Sequence, residues 1–460
     1  MRTTLRRTES VTARSANAGT RAARSLISRA VHPLLRVPYA ALGAAAELVV
    51  AIAPAGASKW QRALAGRRGI VTRLRAFAPN RDTRRPLVWF HAPSVGESLQ
   101  ALPVVQRLRG GSGYAGQIAM TWFSPSAEPF AARFDTDFRD FLAFDTSRAA
   151  REALDALRPS ALVYAKLDVW PVLTEKAHAR GVPLGLVSAT LSANSARRSA
   201  LGKALLADAY ARLDLVGAIA ADDAERLVDL GVRRDVIRVT GDTRFDQVWE
   251  RAQSPSRATE LIRALESDRP TVVAGSTWPA DERPLTQAWE RLRERIPSAR
   301  LILAPHEPSE AHLAPLRAWA SRLGLHTATV AERPDEGTDV VLVDRVGLLG
   351  DLYRVADVAF VGGAFHSAGI HSVLEPAAFG IPVLFGPQWH NSREAGGLIS
   401  SSAAQSVDGS EALAEGIWQW LEGAESRANA AAAARDFVRA GLGAAGRATG
   451  LVLDLIGSSQ

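Results

Sequence analysis

Short apolar runs alternate with helically spaced apolar positions over most of this 460-residue chain. From about Ala78 to Asp246, the runs Leu87–Phe90, Gln117–Thr121, Ala161–Tyr164, Pro183–Val187, Leu215–Ala220 and Val236–Thr240 read as buried strands. Helices fall between them, for instance Ser147–Leu157 and Asp222–Leu230. Gln253–Arg269 reads as a linking helix. A second set of strands follows: Thr271–Ala274, Arg300–Ala304, Asp339–Val343, Val358–Val361 and Ile381–Phe385. Its helices are Pro284–Arg295, Glu310–Leu323, Leu348–Val355 and Val373–Phe379, then an alanine-rich tail Glu411–Val438 and a last helix Ala444–Ile456. Strands alternating with helices imply βαβ units and parallel sheets. The expected fold class is therefore α/β: two Rossmann-like halves, 58–250 and 270–435, facing each other across a cleft, with a C-terminal helix at 436–460.

Ahead of this body, Val37–Ala57 is apolar apart from Glu47 and is interrupted by Pro38 and Pro54. As a helix it would be roughly 30 Å long, about a bilayer core. A spanning helix, a helix lying in the interface and a helix docked on a soluble body all fit this stretch; the reading taken is membrane association. Charge sharpens it. Residues 1–75 hold fourteen Lys and Arg against two acids, an excess of twelve in a chain whose whole net charge is +7, so the remainder is mildly acidic. The high pI thus does not signal a nucleic-acid binder; a basic terminus next to an apolar segment suits an anionic membrane surface. Residues 1–30 are rich in Arg, Ser, Thr and Ala and read as poorly ordered, although an organelle transit peptide has the same composition. The chain has no cysteine, which removes disulfides, thiolate nucleophiles and Cys-ligated metals.

Candidate chemistry clusters at strand ends. Leu87–Phe90 runs into His91-Ala92-Pro93-Ser94-Val95-Gly96-Glu97, a strand followed by a tight glycine turn and a helix reading from Glu97 onward. Ligands of open α/β sheets sit at such turns. There Glu97 is either a general base for an incoming hydroxyl or a helix-capping carboxylate. Gly275-Ser276-Thr277-Trp278 and Ala304-Pro305-His306 also follow strands, as do Gly347-Leu348 and Gly362-Gly363. Each offers backbone N–H groups or a small residue to an anion, or is a plain turn. His306 suits a phosphate oxygen. Glu375, in the first turn of its helix, suits two vicinal hydroxyls of a ribose. No P-loop, His-Glu-x2-His or Gly-x-Ser-x-Gly pattern occurs, and the nine histidines lack zinc-ligand spacing.

Taken in order, these stretches resemble the transferases of 3-deoxy-D-manno-octulosonic acid (Kdo) in lipopolysaccharide assembly. The resemblance runs from about Lys59 to Asn391. It rests on Ala65-Gly66-Arg67-Arg68-Gly69, His91–Glu97, Asp168-Val169-Trp170-Pro171, Gly241–Asp246, Ala274–Thr277, Gly347-Leu348, Gly362-Gly363, His371, Leu374–Ala377 and Asn391. It implies a membrane-associated GT-B glycosyltransferase that moves Kdo from CMP-Kdo onto a lipid A precursor at the cytoplasmic face of the inner membrane. It assigns Glu97 as base, and Ser276, His306, Gly347, Leu348, His371, Glu375 and Asn391 to the donor. Ser94, Gly96, Asp168 and Arg244 go to the acceptor or the cleft. The resemblance implies no metal or other cofactor.

Several positions depart from that family's commoner pattern. Pro305-His306-Glu307 stands where a Pro-Arg-His is usual, and Ser372-Val373 follows His371 where an Asn-Pro is usual. Asp242 and Arg244 replace an Asn and a Lys, and Asp168 replaces a Glu. A GT-B enzyme using another nucleotide sugar of the UDP-GlcNAc type, or a relative that binds nucleotide without turnover, is compatible with the same residues.

Overall fold

A computed structural model describes residues 33–457 except 53–55, 57, 256–258 and 368. The chain forms two compact units: residues 1–241 with 445–460, and residues 242–444. Both expected boundaries move. Asp242 caps the helix Thr243–Gln253, accepting from the Arg244 backbone N–H, and the second unit starts there, ahead of the linking helix expected at Gln253–Arg269. The last helix, Ala444–Gly457, returns to the first unit. The alanine-rich tail is two helices, Ser410–Glu422 and Ala424–Ala440, broken at Gly423.

The first unit is built on seven parallel strands: β1 Leu87–His91, β2 Gln117–Trp122, β3 Phe138–Phe141, β4 Ala161–Ala165, β5 Leu184–Ala189, β6 Leu215–Ala218 and β7 Ile237–Val239. Their spatial order is β3-β2-β1-β4-β5-β6-β7. Central strands β1, β2, β4 and β5 are buried along their whole length, as expected of a parallel sheet covered on both faces. Alternation sorts their side chains. Leu87, Trp89, Leu162 and Tyr164 join one core, while Val88, Phe90, Val163 and Val187 join the other with Leu451, Val452 and Leu455 of the returning helix. That helix is the cover of one sheet face.

The second unit carries β8 Thr271–Thr277, β9 Arg300–Pro305, β10 Thr327–Thr329, β11 Val340–Leu342, β12 Val358–Val361, β13 Val383–Phe385 and β14 Ala404–Ser406. All are parallel, in the order β10-β11-β9-β8-β12-β13-β14. The strands that the sequence pattern missed, β3, β10 and β14, are edge strands of three or four residues. An edge strand buries too little to show an apolar run.

Among the described residues no helix is long and apolar enough to cross a membrane. The N-terminal helix Pro33–Ile52 docks on the first unit by its polar side instead. The Tyr39 hydroxyl donates to Asp145 at 2.8 Å, Glu47 accepts from Thr146 at 2.6 Å, and Arg36 pairs with Glu175 at 3.1 Å. Val37, Leu42, Leu48, Val49 and Ile52 point away from the protein, with Val37, Leu42 and Ile52 each more than 70% exposed. By the 3.6-residue period these five share one face. The basic stretch ahead of Pro33 lies outside the described residues.

Candidate functional site

In each sheet the strand order reverses at one place, and there the loops after adjacent strands diverge and leave room for a ligand. In the first unit this place lies between β1 and β4. The loop after β1 delivers Glu97, and the loop after β4 delivers Lys166 and Asp168.

Glu97 occupies the third position of the helix Val95–Gly110, whose N-cap is Ser94. The helix thus begins two residues earlier than expected. Gly96 is an ordinary helical residue with only the Ser94 hydroxyl near its missing Cβ, at 3.9 Å, so the turn does not depend on glycine. Ser94-x-x-Glu97 fits a capping box, yet the Ser94 side chain makes no cap bond. Its hydroxyl donates to one oxygen of the Glu97 carboxylate, and Lys166 Nζ donates to the other at 3.0 Å. Burial alone would push the Glu97 pKa up. The Lys166 charge and the bonds from Ser94 and Lys166 outweigh it, and the carboxyl sits below its ordinary value. The carboxylate is thus charged and oriented by Ser94 and Lys166.

Lys166 is held in the left-handed region at φ +67, a conformation worth about 1–3 kcal/mol of strain in a residue with a side chain. Its backbone N–H bonds to the Val187 carbonyl at 2.9 Å, which fixes it there. Asp168 pairs with Arg197. Its pKa is raised, mainly by burial with the Glu97 charge adding, although Arg197 opposes. His91, at the end of β1, accepts from Trp170 Nε1 at 2.8 Å and lies 3.0 Å from the Thr121 hydroxyl. Burial pushes it down to about 3, so it is a neutral tie between β1 and the Trp170-Pro171 helix start. Lys166 and Arg197 were absent from the sequence-based site. Both become visible only when strand order sets β4 beside β1 and β5 beside β4.

In the second unit the reversal lies between β8 and β12. A register shift near the end of β8 puts Ser276 at φ +55. Gly362 permits the β12 loop to approach: a Cβ there would lie 2.5 Å from the Ser276 carbonyl oxygen. Trp278, next after β8, stacks on His306 at 4.7 Å and on His366 at 5.3 Å between ring centroids, and His306 stacks on His371 at 4.6 Å. Trp278 Nε1 donates to His371 Nε2 at 3.0 Å, so the neutral His371 ring carries its own proton on Nδ1. Burial, with His306 adding, pushes His371 down to about 4. His306 is exposed.

Other expected residues take different places. Asn391 brackets Ile370, accepting from its N–H at 3.2 Å and donating to its carbonyl at 3.3 Å. It thereby positions the loop carrying His371. Gly347 and Leu348 follow β11, with Gly347 exposed at φ +94. Glu375 is half-buried in the first turn of Leu374–Phe379 and interacts electrostatically with Tyr353. Arg244 belongs to the second unit and is held by Asp242 at 2.5 Å and Glu394 at 2.6 Å. Burial works against its charge, but these two acids raise its pKa. Paired with two carboxylates, it anchors the start of the helix Thr243–Gln253.

Similarity to known proteins agrees with this geometry. A family model of 3-deoxy-D-manno-octulosonic-acid transferase matches residues 64–247. The 3-deoxy-D-manno-octulosonic acid transferase of Bordetella pertussis is 31% identical over 381 residues, 80% of this chain and 87% of that protein. The protein of the same name from Haemophilus influenzae is 28% identical, over 66% of this chain and 71% of its own. The solved UDP-GlcNAc 2-epimerase of Neisseria meningitidis, bound to UDP-GlcNAc, superimposes with TM-score 0.59 at 14% identity, covering 81% of this chain and 100% of that one. Two doubly wound parallel domains of this kind make the chain a GT-B protein, and its sequence relatives make it a glycosyltransferase. It belongs to the 3-deoxy-D-manno-octulosonic acid transferase family.

Proposed function

We propose that the chain transfers Kdo from CMP-Kdo to a hydroxyl of a lipid A precursor, with Glu97 as the base, at the cytoplasmic face of the inner membrane. The observation that carries this reading is the Glu97 carboxylate. It is ionised, fixed at both oxygens, and placed where the first sheet reverses. In the reaction the acceptor oxygen gives its proton to Glu97 and bonds to the anomeric carbon. The bond from that carbon to the CMP phosphate oxygen breaks, and configuration inverts. Lys166 keeps Glu97 charged until the proton arrives.

The donor would bind the second unit. His306 suits the phosphate, the Nδ1–H of His371 is a second donor, and Glu375 suits the ribose. Helical and loop N–H groups with histidine donors would carry the leaving charge without a metal ion. The exposed apolar face of Pro33–Ile52 would lie in the interface and bring a lipid acceptor within reach. The test is Glu97→Gln, which keeps the side chain's shape and removes the base. Transfer should fall about 100- to 10,000-fold while CMP binding is unchanged. Undiminished turnover in this variant would remove Glu97 from the role.

A further inference from the structure

The stacked rings of the second unit are exposed at His306, yet His306 sits on a loop with no side-chain bond of its own to fix it. What fixes the loop is a closed ring of hydrogen bonds around it. The His306 backbone N–H donates to the Thr277 carbonyl at 2.9 Å. The Thr277 hydroxyl donates to Glu282 at 2.8 Å. His312 Nε2 lies 2.9 and 3.1 Å from the two Glu282 oxygens, and His312 Nδ1 lies 3.1 Å from the carbonyl of Glu307, the residue after His306; both partners only accept, so the ring of bonds closes with a proton on each His312 nitrogen. Glu282 is buried, and the His312 ring is 14% exposed. Next to Glu282, the fully buried Asp281 does the same for the opposite loop, accepting from Gly363 N–H at 2.8 Å and Phe365 N–H at 3.0 Å. Two consecutive carboxylates in one helical turn thus brace the two loops that carry His306 and His366.

We infer that His312 and Glu282 form a positioning pair that sets His306 for the donor's anionic group. Neither side chain is hydrogen-bonded to or stacked on the rings, so their effect passes through the His306 loop. A pair with only a packing role would have no reason to close on the Glu307 carbonyl. The inference rests on the proposal that the second unit binds the CMP-sugar.

The test is steady-state transfer by the full-length protein, with His306→Ala, His312→Ala, His312→Gln, Glu282→Gln and the double variant His312→Ala/Glu282→Gln. His312→Ala should raise donor KM about tenfold, the effect of one hydrogen bond to a charged group. Its kcat and acceptor KM should stay within twofold of wild type. His312→Gln, which can keep the bond to Glu282, should recover part of the loss. The double variant should be no worse than its worse single, because both residues act through one chain of bonds. A His312→Gln protein that melts like wild type but gains nothing over His312→Ala would overturn the pair, as would strictly additive losses. If His306→Ala raises donor KM and His312→Ala does not, the brace alone fails. If His306→Ala leaves donor KM unchanged, the donor role of this loop fails and the brace falls with it.

Discussion

A lysine 3.0 Å from the carboxylate proposed as the base lowers that carboxylate's basicity, yet it would serve a transferase working near neutral pH. The base must be deprotonated before the acceptor arrives, and burial alone would work against that. The sign of the pH effect follows. Glu97 titrates below its ordinary value of 4.5, so the acid limb of kcat/KM should lie below that pH. Lys166→Met removes the largest opposing influence and leaves burial, so the limb should move to higher pH; a pH–rate profile of the variant checks this. Glu97 and Ser94 were legible in the sequence because they lie three residues apart on one turn. The Glu97–Lys166 and Asp168–Arg197 pairs were not, because each joins segments that meet only through strand order. The unit to which Arg244 belongs was hidden for a related reason. Its motif marks a turn after the last strand of one unit, and sequence alone does not say to which unit the turn belongs.

The proposed membrane association rests on one element more than on composition. Most helices of a globular unit bury an apolar stripe, whereas Pro33–Ile52 turns Tyr39, Glu47 and Arg36 toward the unit and, Val50 apart, leaves its large apolar residues outside. Leu42→Glu with Ile52→Glu should leave the melting temperature of the protein unchanged and weaken binding to phosphatidylglycerol vesicles at least about tenfold, measured by cosedimentation. In the second unit, Gly362→Ala should lower donor affinity and the stability of that unit, because its methyl group would meet Ser276 and Thr277 backbone atoms at 2.5–2.6 Å. Central strands were plain in the apolar pattern since both their faces are covered. The edge strands Phe138–Phe141, Thr327–Thr329 and Ala404–Ser406 mix polar and apolar residues and were lost among the turns.

For the whole molecule, the course of the chain matters more than its division in two. The last helix leaves the second unit and seals a face of the first sheet with Leu451, Val452 and Leu455, all buried. Leu455→Ala should destabilise the first unit by about 2–5 kcal/mol, read by denaturant unfolding, and leave the second unit's transition in place. The returning helix was visible in the sequence as a helix, but its destination was not, since an apolar face does not name its partner. The proposal that the leaving charge is carried without a metal is checked by chelation: excess EDTA should leave the transfer rate unchanged. The most direct measurement of the central claim is a transfer assay. Detergent-solubilised protein is incubated with tetra-acylated lipid A precursor and CMP-Kdo, and the lipid is read by mass spectrometry. A gain in lipid mass of one or more Kdo residues, absent with Glu97→Gln, is the expected result. An unchanged lipid mass from a protein that still binds CMP would contradict the assignment of acceptor and sugar.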